Sequence, residues 1–389
     1  MYKFVKSTNG LASFTIVFNG AGLFEGPGTY GYSHLIEHLV AGKLKKYENK
    51  FQEWGVSYNA ATGNNRIFYF IKGLDEGVCK FKKTLLEIVY NGTKDLTKEE
   101  LDAEKEIVKS EYEMSLMHPL GAHLELLGRK KFNVVNPLGT MEDIENATVE
   151  SIQKFETLEC QVYPACIIDV SSKPISKWPS EIERVWMPTC GEEYDDCDRY
   201  YFGFEKDMPT DDFCTTYWAN NTSIVASFKI DFDEMPYIGL LSDVLGAGLS
   251  SPLYNEIRIK RNLAYAVHSM VYPIAKNIGI FLVAVTVNKD KVAETKEAIK
   301  EVLKNPKKYI KFSRFKSVCK GIQAADKIAQ IRIDEEAFCL IDRNNSVEEL
   351  IETNEINEIF MDKCIKVFKK VVKNVNKNID VYNGNKKYK

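Results

Sequence analysis

The sequence is poor in histidine, with five in 389 residues. Its nine cysteines include no Cys-x-x-Cys pair, so a thiolate zinc ribbon and a disulfide framework are both excluded. The odd count reads as reduced thiols and predicts a cytoplasmic protein; Cys190 and Cys197, which flank an acidic loop, read as free thiols. No apolar run reaches membrane-spanning length, and the opening MYKFVKSTNG lacks the apolar core of a secretory signal. Net charge is only -3, which gives no electrostatic case for nucleic acid or for a membrane surface. What remains is an ordinary globular composition, 44% hydrophobic and 28% charged, in a chain long enough for more than one core.

The order of parts repeats. LASFTIVFNG (11–20) is rich in β-branched and aromatic residues and predicts a strand. A Gly-rich turn and a helix through SHLIEHLVAGKL follow, with Ser33 as the expected cap. VSYNAAT and RIFYFIKGL predict two strands, and EGVCKFKKTLLEIVYN a helix. A longer helix opens with Thr97 and Glu100 in capping-box spacing. CQVYPACIIDVSS then predicts a closing strand. The second half runs SIVASFKIDF, MPYIGLLSDVLG, LAYAVHSMVYP, IGIFLVAVTV, DKVAETKEAIKEVLKN and finally NIDVYNG, in the same order of strands and helices. The expected fold is α+β: two repeated domains, each a mostly antiparallel sheet with helices packed on it. The domains are placed at 1–172 and 201–389, with a polar, Pro-containing linker over 173–200.

Two of the scarce histidines sit four apart in GYSHLIEHLV. On a helix, His34 and His38 present two imidazoles on one face, suited to a single zinc ion. Glu37, between them, is poorly placed to ligate but well placed to accept a proton from water. A third ligand must come from elsewhere. Glu104 and Glu111 are two turns apart on the later acidic helix, and spacing does not choose between them. His118, before Pro119, together with His123 and His268, reads as surface or structural.

HLIEH is the inverted zinc motif, and the chain resembles the pitrilysin, insulin-degrading-enzyme and mitochondrial-processing-peptidase family over most of its length. The resemblance implies that Glu111, the last residue of EKEIVKSE and seventy-three residues after His38, is the third ligand. It implies that Glu104 orients a ligand histidine, and that Asn59 and Ala60 in WGVSYNAATGNNRIFYF meet the substrate backbone. GAGLSSPLYNEIRIKRNLAYAV resembles the family's segment with an Arg and a Tyr seven apart, here Arg258 and Tyr265, which bind substrate or polarise the scissile carbonyl. Without the resemblance, Arg258 is a helix-surface charge and Tyr265 a strand residue. Pro252 departs from the family, which often has a basic residue there. The implied function is a zinc metalloendopeptidase, with one zinc per chain and Glu37 as general base, acting on peptides or unfolded segments bound as an extended strand. The family's chamber is built from four such repeats, so a homodimer, or a heterodimer with a related chain, is expected. The competing reading, a non-catalytic partner or scaffold subunit on the same fold, is opposed by the intact motif.

Overall fold

The computed structural model describes residues 2–63, 66–117, 135–160, 164–186, 213–214, 221–264, 266–275, 278–329, 346–383 and 387–388. They fall into two compact units, one drawn mainly from each half of the chain. Among the described residues, no helix is long and apolar enough to cross a membrane.

The first unit is built on a five-stranded sheet. Its strands are β1 (Tyr2–Lys6), β2 (Leu11–Asn19), β3 (Val56–Thr62), β4 (Arg66–Leu74) and β5 (Cys166–Ser171), in the order β1-β5-β2-β4-β3. β2 is central, antiparallel to both β4 and β5, and every residue from Ala12 to Phe18 is buried, as its run of apolar and hydroxyl side chains requires. β1, not expected from the sequence, adds a parallel edge beside β5. Helix α1 (Tyr32–Gly42) follows β2; α2 (Asp75–Asn91) follows β4; α3 (Lys98–Met117) comes next. The capping box at the start of α3 forms as expected, with Thr97 N–H donating to Glu100 Oε2 at 3.0 Å and Glu100 N–H donating to Thr97 Oγ1 at 3.2 Å. Phe14, Ile16 and Phe18 of β2, Leu35, Ile36 and Val40 of α1, and Leu85 and Val89 of α2 belong to one core. A buried ion pair ties α2 to the sheet, with Lys82 Nζ 2.6 Å from Asp169 Oδ1.

Ser33 does not cap α1. The cap is Gly31, at φ 90° and ψ 0°, and a Cβ there would stand 2.8 Å from the Leu138 carbonyl oxygen and 2.9 Å from Gly139 Cα. Instead, the buried carboxylate of Glu25 reaches the helix start: Gly31 N–H donates to Oε2 and Ser33 N–H to Oε1, both at 2.8 Å. The linker also differs from expectation at its beginning. Ile182 and Trp186, four apart on α4 (Ser180–Trp186), bury in the first core, where Trp186 meets Phe18 and Tyr90 edge-on. Residues 187–200 lie outside the described residues.

The second unit has a four-stranded antiparallel sheet of β6 (Asn221–Asp231), β7 (Val267–Ala275), β8 (Ile278–Asn288) and β9 (Ile379–Asn383), ordered β9-β6-β8-β7. Helix α5 (Met235–Gly246) lies between β6 and β7 in sequence, as α1 lies between β2 and β3. Helices α6 (Val292–Lys304) and α7 (Glu358–Val371) cover a separate core that includes Phe228, Phe281 and Phe368.

Candidate metal centre

Three elements of the first unit build the site. α1 supplies His34, Glu37 and His38, α3 supplies Glu104 and Glu111, and β3 supplies Thr62. The four-residue spacing sets the imidazoles side by side on one helix face, edge-on with ring centroids 4.6 Å apart. Glu111 Oε2 lies 3.6 Å from His34 Nε2 and 3.5 Å from His38 Nε2. Ligand atoms of these three residues all lie within 4.8 Å of one another. A tetrahedral ion with bonds of about 2.0–2.1 Å separates its ligand atoms by about 3.4 Å, so this donor set fits zinc with a position left for water. Among the described residues, it is the one cluster of His, Cys, Asp or Glu with that closeness.

Glu104 stands behind His38, with its Oε2 3.2 Å from Nδ1, which leaves Nε2 directed at Glu111. Lys45 Nζ is 3.7 Å from the other oxygen of Glu104. The His38 hydrogen bond holds the Glu104 carboxyl below the usual range. At His38, burial opposes protonation, but the Glu104 hydrogen bond and the charges of Glu37, Glu111 and Glu104 outweigh it, and its pKa is raised. His34 is the opposite case. Burial, with the charge of His38 added, lowers its pKa to about 3, and its buried Nδ1 has no hydrogen-bond partner among the described residues.

Residues 5–138 match the insulinase (peptidase family M16) family, and residues 224–315 match the peptidase M16 inactive domain. The chain belongs to the M16 peptidase family. It is 26% identical over 309 residues to an uncharacterized zinc protease of Rickettsia bellii, covering 73% of this chain and 71% of that one. It is 25% identical over 291 residues to the zinc protease PqqE of Helicobacter pylori, covering 67% and 61%. A crystal structure of a protease from Helicobacter pylori has the same fold, with a TM-score of 0.74 at 19% identity over 98% of this chain and 95% of that one. A chain of complex III2 from Candida albicans does too, at a TM-score of 0.66 and 12% identity over 98% and 92%. M16 membership and the fold agree with the resemblance read from the motifs.

Glu37 is the most buried acid of this M16 centre. Its Oε2 lies 3.9 Å from His34 Nε2 and accepts a hydrogen bond from Thr62 Oγ1 at 3.3 Å. Burial raises its pKa to about 7, against the lowering effects of His38 and Thr62 and with help from Glu111 and Glu104. A carboxylate poised near neutrality can take and return a proton at physiological pH. Asn59 and Ala60 lie on β3, the edge strand of the sheet among the described residues, opposite Phe70 and Tyr69 of β4. Arg258 lies in the second unit, on the helical turn Asn255–Lys260, with its guanidinium 5.1 Å from the ring centre of Tyr254. Tyr265, His118, His123, Cys190 and Cys197 lie outside the described residues, and His268 is an exposed residue of β7. Cys79, Cys166, Cys319 and Cys364 form no disulfide among the described residues.

Sequence reasoning missed Glu25 and Thr62. Thr62 was open to detection, because strand alternation puts it on the same face as Ala60. Nothing in FEGPG distinguishes Glu25 from a surface acid, since its role depends on the fold of the turn.

Proposed function

We propose that this M16 chain is a zinc-dependent endopeptidase for peptides or unfolded segments. The observation that carries the reading is the convergence of His34 Nε2, His38 Nε2 and a Glu111 oxygen beside a buried Glu37. His34, His38 and Glu111 would hold the metal, with Glu104 orienting His38. When bound there, zinc supplies Lewis acidity, which polarises a carbonyl and acidifies water. Glu37 takes the proton of the attacking water and returns it to the leaving amine. β3, the edge strand among the described residues, receives the substrate as an added strand, with Asn59 and Ala60 against its backbone. Arg258 and Tyr265 serve the carbonyl oxygen of the substrate. A homodimer completes the chamber, because one chain supplies two of the repeats the reading requires. A scaffold role would leave the donor set and the perturbed Glu37 without a use.

The test is cleavage of an unstructured peptide library by the purified full chain, with and without a chelator and with Glu37→Gln as control. Cleavage is expected to need both metal and Glu37. No cleavage by the zinc-loaded wild type, across the library, overturns the reading.

A further inference from the structure

The edge strand that would receive the substrate also touches the base. β3 alternates: Val56, Tyr58, Ala60 and Thr62 are more buried than Ser57, Asn59 and Ala61. Thr62 ends the strand, paired with Ile67 of β4, and its Oγ1 donates to Glu37 Oε2 at 3.3 Å. Among the described residues, this hydroxyl is the hydrogen-bond donor that Glu37 has. We propose that Thr62 is the positioning residue of the catalytic base, holding the Glu37 carboxylate from the strand that aligns the substrate. The inference rests on the peptidase reading above and deepens it.

The physical argument has two steps. A glutamate reaches its carboxylate through three rotatable bonds, so a buried one needs a partner to keep a single orientation. A threonine on a strand is a stiff partner, because its β-branch restricts χ1 and its backbone is fixed by the ladder. Thr62 lies two residues beyond Ala60, about 7 Å along the strand. Backbone register and base position are therefore set by one rigid element. A slip of the edge strand would carry both together, and the spacing between the aligned peptide and the base would persist. None of the three candidate ligands depends on Thr62, so its removal should disturb the proton transfer and leave the metal in place.

The experiment compares Thr62→Val and Thr62→Ser with the wild-type full chain. Valine keeps the branch and loses the hydroxyl; serine keeps the hydroxyl. Thr62→Val is expected to hold zinc at the wild-type ratio by elemental analysis, with kcat down about tenfold and KM within about twofold, the loss of one charge-assisted hydrogen bond felt in the reacting state. Thr62→Ser should recover most of the rate. A second readout needs no activity: crystal structures of the zinc-free proteins should show the Glu37 carboxylate displaced in Thr62→Val and in place in Thr62→Ser. Unchanged kcat with Glu37 unmoved overturns the proposal. So does a change confined to KM, which would make Thr62 a substrate contact only. If the wild type cleaves nothing, the peptidase reading fails, and the position of Glu37 in the two crystals still decides whether Thr62 holds it.

Discussion

The two units place a helix after their first long strand and use it in opposite ways. α1, with 11 residues, buries Ser33, His34 and Glu37 among its apolar residues. α5, with 12 residues, buries Ile238, Leu240, Leu241, Val244 and Leu245, and its buried Ser242 finds Ser269 Oγ at 2.8 Å. The one acid of α5, Asp243, is half-buried, so this architecture needs no fully buried ionisable group in its first helix. The groups in α1 therefore work against folding, as their pKa values show: burial drives His34 down to about 3 and Glu37 up to about 7. Groups fully buried in a helix whose counterpart leaves its one acid, Asp243, only half-buried are candidates for chemistry.

The largest break in this comparison is loss of the metal. His38→Ala should lose zinc and all turnover together. Chelation of the wild type should lower hydrogen-exchange protection in α1 and leave α5 unchanged. Full zinc content in His38→Ala would remove that residue from the ligand set. Glu37→Gln comes next. It should keep zinc and lose about 10³-fold in kcat, since an amide accepts no proton. A rate near wild type would show that another group is the base.

The second unit can be tested for its share of the reaction. Arg258→Ala with Tyr265→Phe in one chain, and Glu37→Gln in another, should each abolish most activity. If the chamber is shared between subunits, mixing them under exchange conditions should restore part of the rate, and a fully active monomer in light scattering would end the dimer model. A smaller effect is expected behind the ligands. Glu104→Gln should weaken zinc binding about 10–100-fold without abolishing it, the usual cost of losing a partner that orients a ligand histidine. If Glu104→Gln lost zinc outright and Glu111→Gln kept it, the two glutamates would exchange roles.

Much of this was legible because periodicity reports burial directly. The strand β2, rich in β-branched and aromatic residues, the α5 segment from Met235 to Gly246 and the Thr97 capping box appear in the structure where the residue pattern puts them. His34 and His38 were legible because helix spacing alone brings them together. The third ligand was not, since Glu104 and Glu111 share a face of α3, and which one reaches the histidines depends on how α3 packs against α1. The cap of α1 was misread for a related reason. Ser33 is the standard local signal, but the turn folds so that Glu25, six residues before Gly31, supplies the acceptors. Ile182 and Trp186 were hidden in a stretch whose composition is that of a linker, and only packing reveals them as core.

The smallest effect concerns Glu25 and pH. Burial raises its pKa from 4.5 to about 7, although the N–H groups of Gly31 and Ser33 pull it down. A raised carboxyl favours the protonated form in the folded state. Its contribution is therefore fully present below pH 4.5 and is lost as pH rises towards 7. His34 has the opposite sign: lowered from 6.5 to about 3, it contributes above pH 6.5 and is lost as pH falls through that window. Glu37 follows Glu25. In the zinc-free protein the first unit is thus weakened from both sides, and the carboxyl and histidine effects oppose one another between pH 4.5 and 6.5. Glu25→Gln removes one carboxyl from this balance. Glutamine can accept at a single oxygen, so the variant should lose about 1 kcal/mol at low pH with one N–H bond. Between pH 4.5 and 7 its stability should fall less steeply than that of the wild type, by up to about 1.4 kcal/mol per pH unit. Urea unfolding in chelator across that range, followed by hydrogen exchange at α1, reads the difference. Parallel curves for the two proteins would show that Glu25 does not change its protonation on folding, and that the start of α1 is held by an ordinary ionised cap.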